Sequence, residues 1–200
     1  MAPSHVMTAA STPKGERRRQ ALVEAAAALL VEGGFDAIRH RAVAERAGLP
    51  LASTTYYFDS LDELIEAAAE HHGRAELAHG RAKLEELTTL PRGVDALVDL
   101  ALDLLLGPES RDRDAEAVLL RYERLVATPR RPYLRPLMRQ LGADLQALLL
   151  EIFARSGREM DTAQVERIIA LVDGTVVNAL VEIHPDPRGA ARRVLREALT

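Results

Sequence analysis

The sequence contains no cysteine and no tryptophan. The first absence excludes disulfides, thiolate metal sites and a cysteine nucleophile by counting alone. No apolar run approaches the length of a membrane span, and residues 1–13 lack a basic stretch followed by an apolar core. The chain therefore reads as soluble and cytoplasmic, without a secretory leader. Gly-rich phosphate loops and a Gly-x-Ser-x-Gly turn are missing too, so an enzyme has no motif here and none is expected. Aromatic residues make up only 4% of the 200 positions, whereas hydrophobic residues make up 48%. That is enough for a real core. Alanine and leucine recur throughout, and both lose little rotamer freedom in a helix, so the expected fold class is all-α.

The formal net charge of −4 hides an uneven distribution. Residues 1–60 carry 7 Lys/Arg against 6 Asp/Glu, and residues 61–200 carry 19 against 24. Within the first part the basic groups cluster at Lys14 with Arg17, Arg18 and Arg19, and again at Arg39, Arg41 and Arg46. A local basic face on an acidic body is compatible with binding to duplex nucleic acid.

Residues 1–13 lack periodicity and read as a disordered tail. Leu22, Ala25, Ala26, Leu29 and Leu30 then mark an amphipathic helix over 16–32, stopped by Gly33-Gly34. Short helices follow over 39–47, ended by Gly48, and over 50–57, opened by Pro50. Ser60 and Glu63 form a capping-box pattern that opens a fourth helix at Leu61, running to about Leu90 with bends at Gly73 or Gly80. Further helices are predicted over 92–106, 114–127, 134–155, 162–184 and 188–199, nine in all with no strand. The expected domains are the tail at 1–13, a helix-turn-helix unit at 14–74, and an effector-binding and dimerisation unit at 75–200.

A helix, a glycine turn and a short helix behind an amphipathic helix are the layout of a three-helix DNA-binding unit. The second short helix reads Leu51-Ala52-Ser53-Thr54-Thr55-Tyr56-Tyr57, a run of hydroxyls and aromatics. Hydroxyls bond phosphate oxygens or base edges, and a threonine methyl touches thymine. The segment from Arg17 to Leu64 resembles the signature of the TetR family of bacterial regulators. The matches are Gly34-Phe35, Val43-Ala44-Glu45-Arg46-Ala47-Gly48-Leu49, and Tyr57-Phe58-Asp59-Ser60 leading to Glu63-Leu64. The resemblance implies that Val43, Ala47 and Leu49 hold the two short helices together and that Tyr57 and Phe58 anchor the recognition helix. Leu51, Ser53, Thr54, Thr55, Tyr56 and Tyr57 become the DNA-binding candidates. Arg39 and Arg41, with the Arg17–Arg19 cluster, are the candidates to replace a phosphate contact, because Leu61 stands where the family commonly carries a lysine.

The resemblance further implies a homodimer on an operator, a small-molecule effector that releases it, and a repressor's mode of action. No cofactor or metal is expected. His71-His72 with Glu70 and His79 lacks the spacing of a helical metal site and reads as a solvated face. Leu141, Leu145, Leu148 and Ile152, followed by Val165, Ile168, Val172 and Val176, form two helical stripes that suit a dimer interface. An internal core suits them equally well. Leu97, Ala101, Leu105, Tyr122, Met138 and Phe153 are candidates to line an effector pocket for a mostly hydrophobic molecule, although plain core explains such a stripe more simply. The alternative function, a helical-bundle ligand-binding protein or enzyme without DNA binding, leaves the linked matches over 34–64 unexplained.

Overall fold

Thr12 opens the first helix, its hydroxyl accepting from the Gly15 N–H at 3.1 Å, and Pro13 takes the first helical position, where its missing N–H costs nothing. The structure is a computed structural model that describes residues 12–86, 90–107, 110–111 and 115–200. The expected tail therefore falls almost wholly outside the described residues, and its last member, Pro13, is helical. By contact the chain divides into two units, Met1–His72 and Gly73–Thr200.

The first unit holds α1 (Pro13–Ala37), α2 (His40–Ala47), α3 (Ala52–Tyr57) and the beginning of α4 (Leu61–Glu86). The regular part of α1 breaks at Gly33-Gly34, where Gly34 adopts φ 68°. Phe35 lies buried just past the break, together with Leu22, Ala26, Leu30, Ile38, Val43 and Phe58. Gly48 ends α2 with φ 65° and ψ 30°, the left-handed conformation that glycine adopts without a Cβ penalty. The next helix starts later than its proline suggests: Pro50 and Leu51 form its entry and regular geometry begins at Ala52. Ser60 Oγ accepts from the Glu63 N–H at 3.1 Å, and the Glu63 carboxylate accepts from the Asp59 N–H at 2.7 Å, a capping box displaced by one residue.

The second unit is built from the rest of α4 with α5 (Val94–Leu106), α6 (Ala115–Ala127), α7 (Arg135–Arg155), α8 (Thr162–Val181) and α9 (Pro187–Leu199). Two short 3-10 turns, Thr128–Arg130 and Pro132–Leu134, connect α6 to α7. The described residues thus contain nine α-helices and no strand. α4 stays helical through Gly73 and Gly80. Gly80 serves close packing: a Cβ there would meet Leu104 Cδ2 at 2.3 Å and Leu148 Cδ2 at 2.7 Å. The extension of α4 towards Leu90 crosses residues 87–89, outside the described ones.

A large apolar core runs through this unit, beside a smaller cluster of Leu84, Leu148 and Ile152. The core gathers Leu97, Ala101, Leu102 and Leu105 of α5, Val118 and Tyr122 of α6, Leu149 and Phe153 of α7, Val165, Val172 and Val176 of α8, and Leu195 of α9. Around it runs a charge ladder that the sequence spells out in two runs of period four. Asp95, Asp99 and Asp103 on α5 face Arg188, Arg192 and Arg196 on α9. Its inner rung is the best built. Arg188, 8% exposed, donates to Asp103 Oδ1 at 2.8 Å and to Ser110 Oγ at 2.7 Å, and Asp103 also accepts from Arg111 Nε at 2.8 Å.

α8 ends three residues before the expected His184, on a residue that rarely takes this role. Ile183 sits at φ 54°, while the His184 N–H reaches back to the Ala179 carbonyl at 2.8 Å. The left-handed closure is normally a glycine's, and for a β-branched residue it is a true outlier.

Candidate functional site

α1 packs on α2 and α2 on α3, so the short third helix is carried on the other two. Its six residues make too few backbone hydrogen bonds to be stable alone, and position must come from its anchors. Phe58, 2% exposed, is the anchor at its end, with the Arg19 guanidinium 4.9 Å from the ring centroid. Thr54 is the anchor in its middle. Its side chain is fully buried and its hydroxyl donates to the Leu51 carbonyl at 2.8 Å.

This corrects one DNA-binding candidate, because Thr54 has no surface left to meet a base. The other positions of the segment are covered to different degrees. Leu51 is 53% exposed and Tyr56 is 56% exposed. Thr55 is exposed with its hydroxyl bonded to the Ala52 carbonyl at 3.3 Å, while Ser53 and Tyr57 are half-buried. The Tyr56 ring meets the Tyr57 ring edge-on with centroids 4.9 Å apart, which limits how Tyr56 can swing. The accessible face of α3 is therefore Leu51, Thr55 and Tyr56.

The arginines around it divide by partner. Arg46 pairs with Glu32 through two hydrogen bonds, which tie α2 to the end of α1. The hydrogen bond from Arg46 holds the Glu32 carboxyl below the ordinary carboxylate range, so this tie is complete near neutrality and is lost as pH falls through the lowered value. Arg41 is exposed and pairs with Glu45 at 3.0 Å along its own helix. Arg39, at the N-cap of α2, is exposed and makes no side-chain cap bond.

The other candidates lie in the second unit. Leu97, Ala101, Leu105, Tyr122 and Phe153 are all members of its packed core, and Met138 is half-buried on α7. The core's polar feature is the hydrogen bond from Tyr122 Oη to Asp173 Oδ1, 2.7 Å. Burial first, and the neighbouring Asp173 charge second, push the Tyr122 phenol well above its usual range, so it stays a donor at any ordinary pH. Sequence reasoning missed this pair because its members lie in different helices.

Val165, Ile168, Val172 and Val176 are buried within the protomer, as are Leu148 and Ile152. These six therefore have almost no surface to give to a second copy, and of the candidate dimer interface only Leu141 and Leu145 keep part of theirs. The stripes mark burial within the chain, on α8 by α6, α7 and α9 and on α7 by Leu84 of α4 with Leu100 and Leu104 of α5. Asp173 is bonded to Tyr122, and His184 Nδ1 accepts from the Asp186 N–H at 3.0 Å.

Residues 22–68 match the family described as bacterial regulatory proteins, tetR family, and residues 92–200 match the tetracyclin repressor-like C-terminal domain. No curated protein sequence matches the chain. Among solved structures, the multidrug binding protein EbrR complexed with proflavin is 31% identical over 90% of this chain and 99% of its own, with a TM-score of 0.66. A TetR-family member from Streptomyces coelicolor A3 is 31% identical over 90% of this chain and 97% of its own, with a TM-score of 0.61. A TetR transcription regulator from Haloarcula marismortui, 19% identical over 92% of this chain and 96% of its own with a TM-score of 0.65, shares the fold. Among the described residues no helix is long and apolar enough to cross a membrane. With both halves of the signature matched in order, on a helix-turn-helix unit followed by a helical body, the chain belongs to the TetR family of DNA-binding transcriptional regulators.

Proposed function

We propose that the protein is a cytoplasmic repressor that binds its operator as a homodimer and leaves it when a small, mostly hydrophobic effector occupies the second unit. This reading assigns it no enzymatic turnover. The observation that carries it is the division of labour in α3, where Thr54 and Phe58 point inward and Leu51, Thr55 and Tyr56 stay accessible. One short helix contacts few bases, so two copies, with half-sites about 34–36 Å apart or a multiple of that, are needed for specificity. The deciding experiment is a mobility shift on the DNA flanking the protein's own gene, with nonspecific competitor in excess. The wild-type protein should give a saturable shift that Tyr56→Ala removes. A shift unaffected by Tyr56→Ala would take α3 out of the groove.

The second copy is best placed on the part of α8 that the core leaves outside. Ala170, Gly174, Val177 and Val181 follow one another by four, three and four residues and are all exposed, Val181 at 77%. Gly174 has open space where a side chain would stand, which suits close approach of another helix. Ile183, 90% exposed in its left-handed turn, continues the patch. Exposed apolar surface of this kind on a soluble chain marks an interaction site. Val177→Glu combined with Val181→Glu should convert a dimer to a monomer in sedimentation velocity, with helicity unchanged. A dimer that survives the pair of charges would move the interface elsewhere.

EbrR has been crystallised with proflavin, ethidium and malachite green, all of them aromatic cations. The corresponding ligand class for this protein is an aromatic cation enclosed by the apolar residues of α5, α6 and α7, with Asp173 as the balancing charge beside Tyr122. Asp173→Asn keeps the acceptor for Tyr122 and removes the charge. It should weaken ethidium binding about 10-fold or more, the range for losing one charged hydrogen bond or ion pair in a sheltered site. Equal affinity in the two proteins would show that Asp173 has only a structural role. Effector and operator oppose each other reciprocally, each weakening the other by the same factor, with α4 as the continuous element shared by both units.

A further inference from the structure

The face that α3 leaves accessible has a chemistry that narrows what it can read. Besides Leu51, Thr55 and Tyr56, Ala52 is exposed. Leu51 and Thr55 are four positions apart, as are Ala52 and Tyr56, so the four side chains form two adjacent rows along the helix. From Leu51 to Phe58 the sequence contains no Arg, Lys, Asn, Gln, Asp or Glu. Those are the side chains that read a base edge through charge or paired hydrogen bonds, Arg and Lys on guanine, Asn and Gln on adenine, Asp and Glu on cytosine.

The polar capacity of the segment is largely spent on its own backbone. The Thr55 hydroxyl donates to the Ala52 carbonyl at 3.3 Å, and the buried Thr54 hydroxyl donates to the Leu51 carbonyl at 2.8 Å. The Tyr56 hydroxyl can donate or accept, so it suits either kind of base edge and discriminates little between them. What the face offers beyond that is apolar: the Leu51 side chain at 53% exposure, the Ala52 and Thr55 methyls, and the Tyr56 ring, braced edge-on by Tyr57 with centroids 4.9 Å apart. The apolar group that marks one base from the others in the major groove is the C5 methyl of thymine.

The geometry points to thymine methyl groups as the feature that Leu51, Ala52, Thr55 and Tyr56 read, so that each operator half-site places thymines under α3. The inference rests on the DNA-binding reading and names the base which that reading leaves open. Apolar contact of this kind gains from water excluded on both sides, and it is lost when the methyl alone is removed from an otherwise unchanged base. Every hydrogen-bonding group of the base pair stays in place in that comparison, so the methyl is tested by itself.

The test begins with operator duplexes selected by the wild-type protein from a random pool. In the selected site each thymine is replaced in turn by deoxyuridine, in both half-sites together. Replacing a contacted thymine should weaken binding about 10-fold, since each methyl taken out of water contributes roughly four-fold and there is one in each half-site. Thymines outside the half-sites should be replaceable without loss. At a sensitive position, 5-methylcytosine paired with guanine should bind better than cytosine paired with guanine, because the methyl is restored. The protein supplies the matching readout. Leu51→Ala and Thr55→Ser change exposed side chains and should leave the circular dichroism as in wild type, and each should shrink the loss that deoxyuridine causes at the thymine it faces. Equal binding of every deoxyuridine operator would overturn the proposal, as would a selected operator with no thymine in its half-sites. A deoxyuridine loss that neither variant changes would also overturn it, by assigning the methyl contact to another element. Failure of the wild type to select any duplex would instead sink the DNA-binding reading itself, and the inference with it.

Discussion

Phe58→Ala should remove about 3–5 kcal/mol from the stability of the first unit, the range for truncating a fully buried phenylalanine. The ring is 2% exposed, closes α3 at its C-terminal end and lies under the Arg19 guanidinium. A unit of this size has few kilocalories to spare, so the loss should unfold it in part and abolish operator binding with it. Three variants separate positioning from recognition. Phe58→Leu should restore most of the stability and much of the binding, since it refills most of the volume. Tyr56→Ala should lose binding while leaving the thermal transition within about 0.5 kcal/mol of wild type, as expected for a side chain more than half exposed. Arg19→Ala should fall between, since a cation over an aromatic face is worth about 0.5–2 kcal/mol. A folded, operator-binding Phe58→Ala protein, followed by circular dichroism and mobility shift, would refute the anchoring role.

Arg188→Met should destabilise the second unit by about 3 kcal/mol, the lower end of the range for breaking a buried ion pair. The lower end applies because Asp103 keeps Arg111 as a partner after the change. The substitution removes the tie that holds the start of α9 against α5 and the donor to the buried Ser110 hydroxyl. For a unit of this size the expected fall in Tm is on the order of 10 °C. The other end of the same ladder provides the contrast. Arg196 and Asp95 are both largely exposed, at 59% each, and Arg196→Ala should cost no more than about 1 kcal/mol. Similar losses for the two substitutions in a thermal melt would mean that burial does not set the strength of these rungs.

The division between sequence and structure follows from what periodicity reports. Helix positions, the glycine that ends α2, the capping residues before α4 and the family signature are local, written in residues a few positions apart, and the sequence was sufficient for them. A stripe of apolar residues shows that one helix face is covered, but it does not name the cover. Val165, Ile168, Val172 and Val176 fit a dimer seam as well as a core until α6, α7 and α9 are seen packed over the core side of α8. Thr54 looks like its neighbours Ser53 and Thr55 in sequence, and only the packing of the first unit buries it. The bond between Tyr122 and Asp173 joins residues 51 positions apart. The ladder between Asp103 and Arg188 spans 85 positions. Each of its runs was visible in the sequence, but their pairing was not. Local chemistry determined the elements and the kind of protein, because capping, turn and signature residues act through backbone groups close to them. Tertiary structure decided which faces are spent and which remain to bind, because burial depends on neighbours that the chain brings from far away.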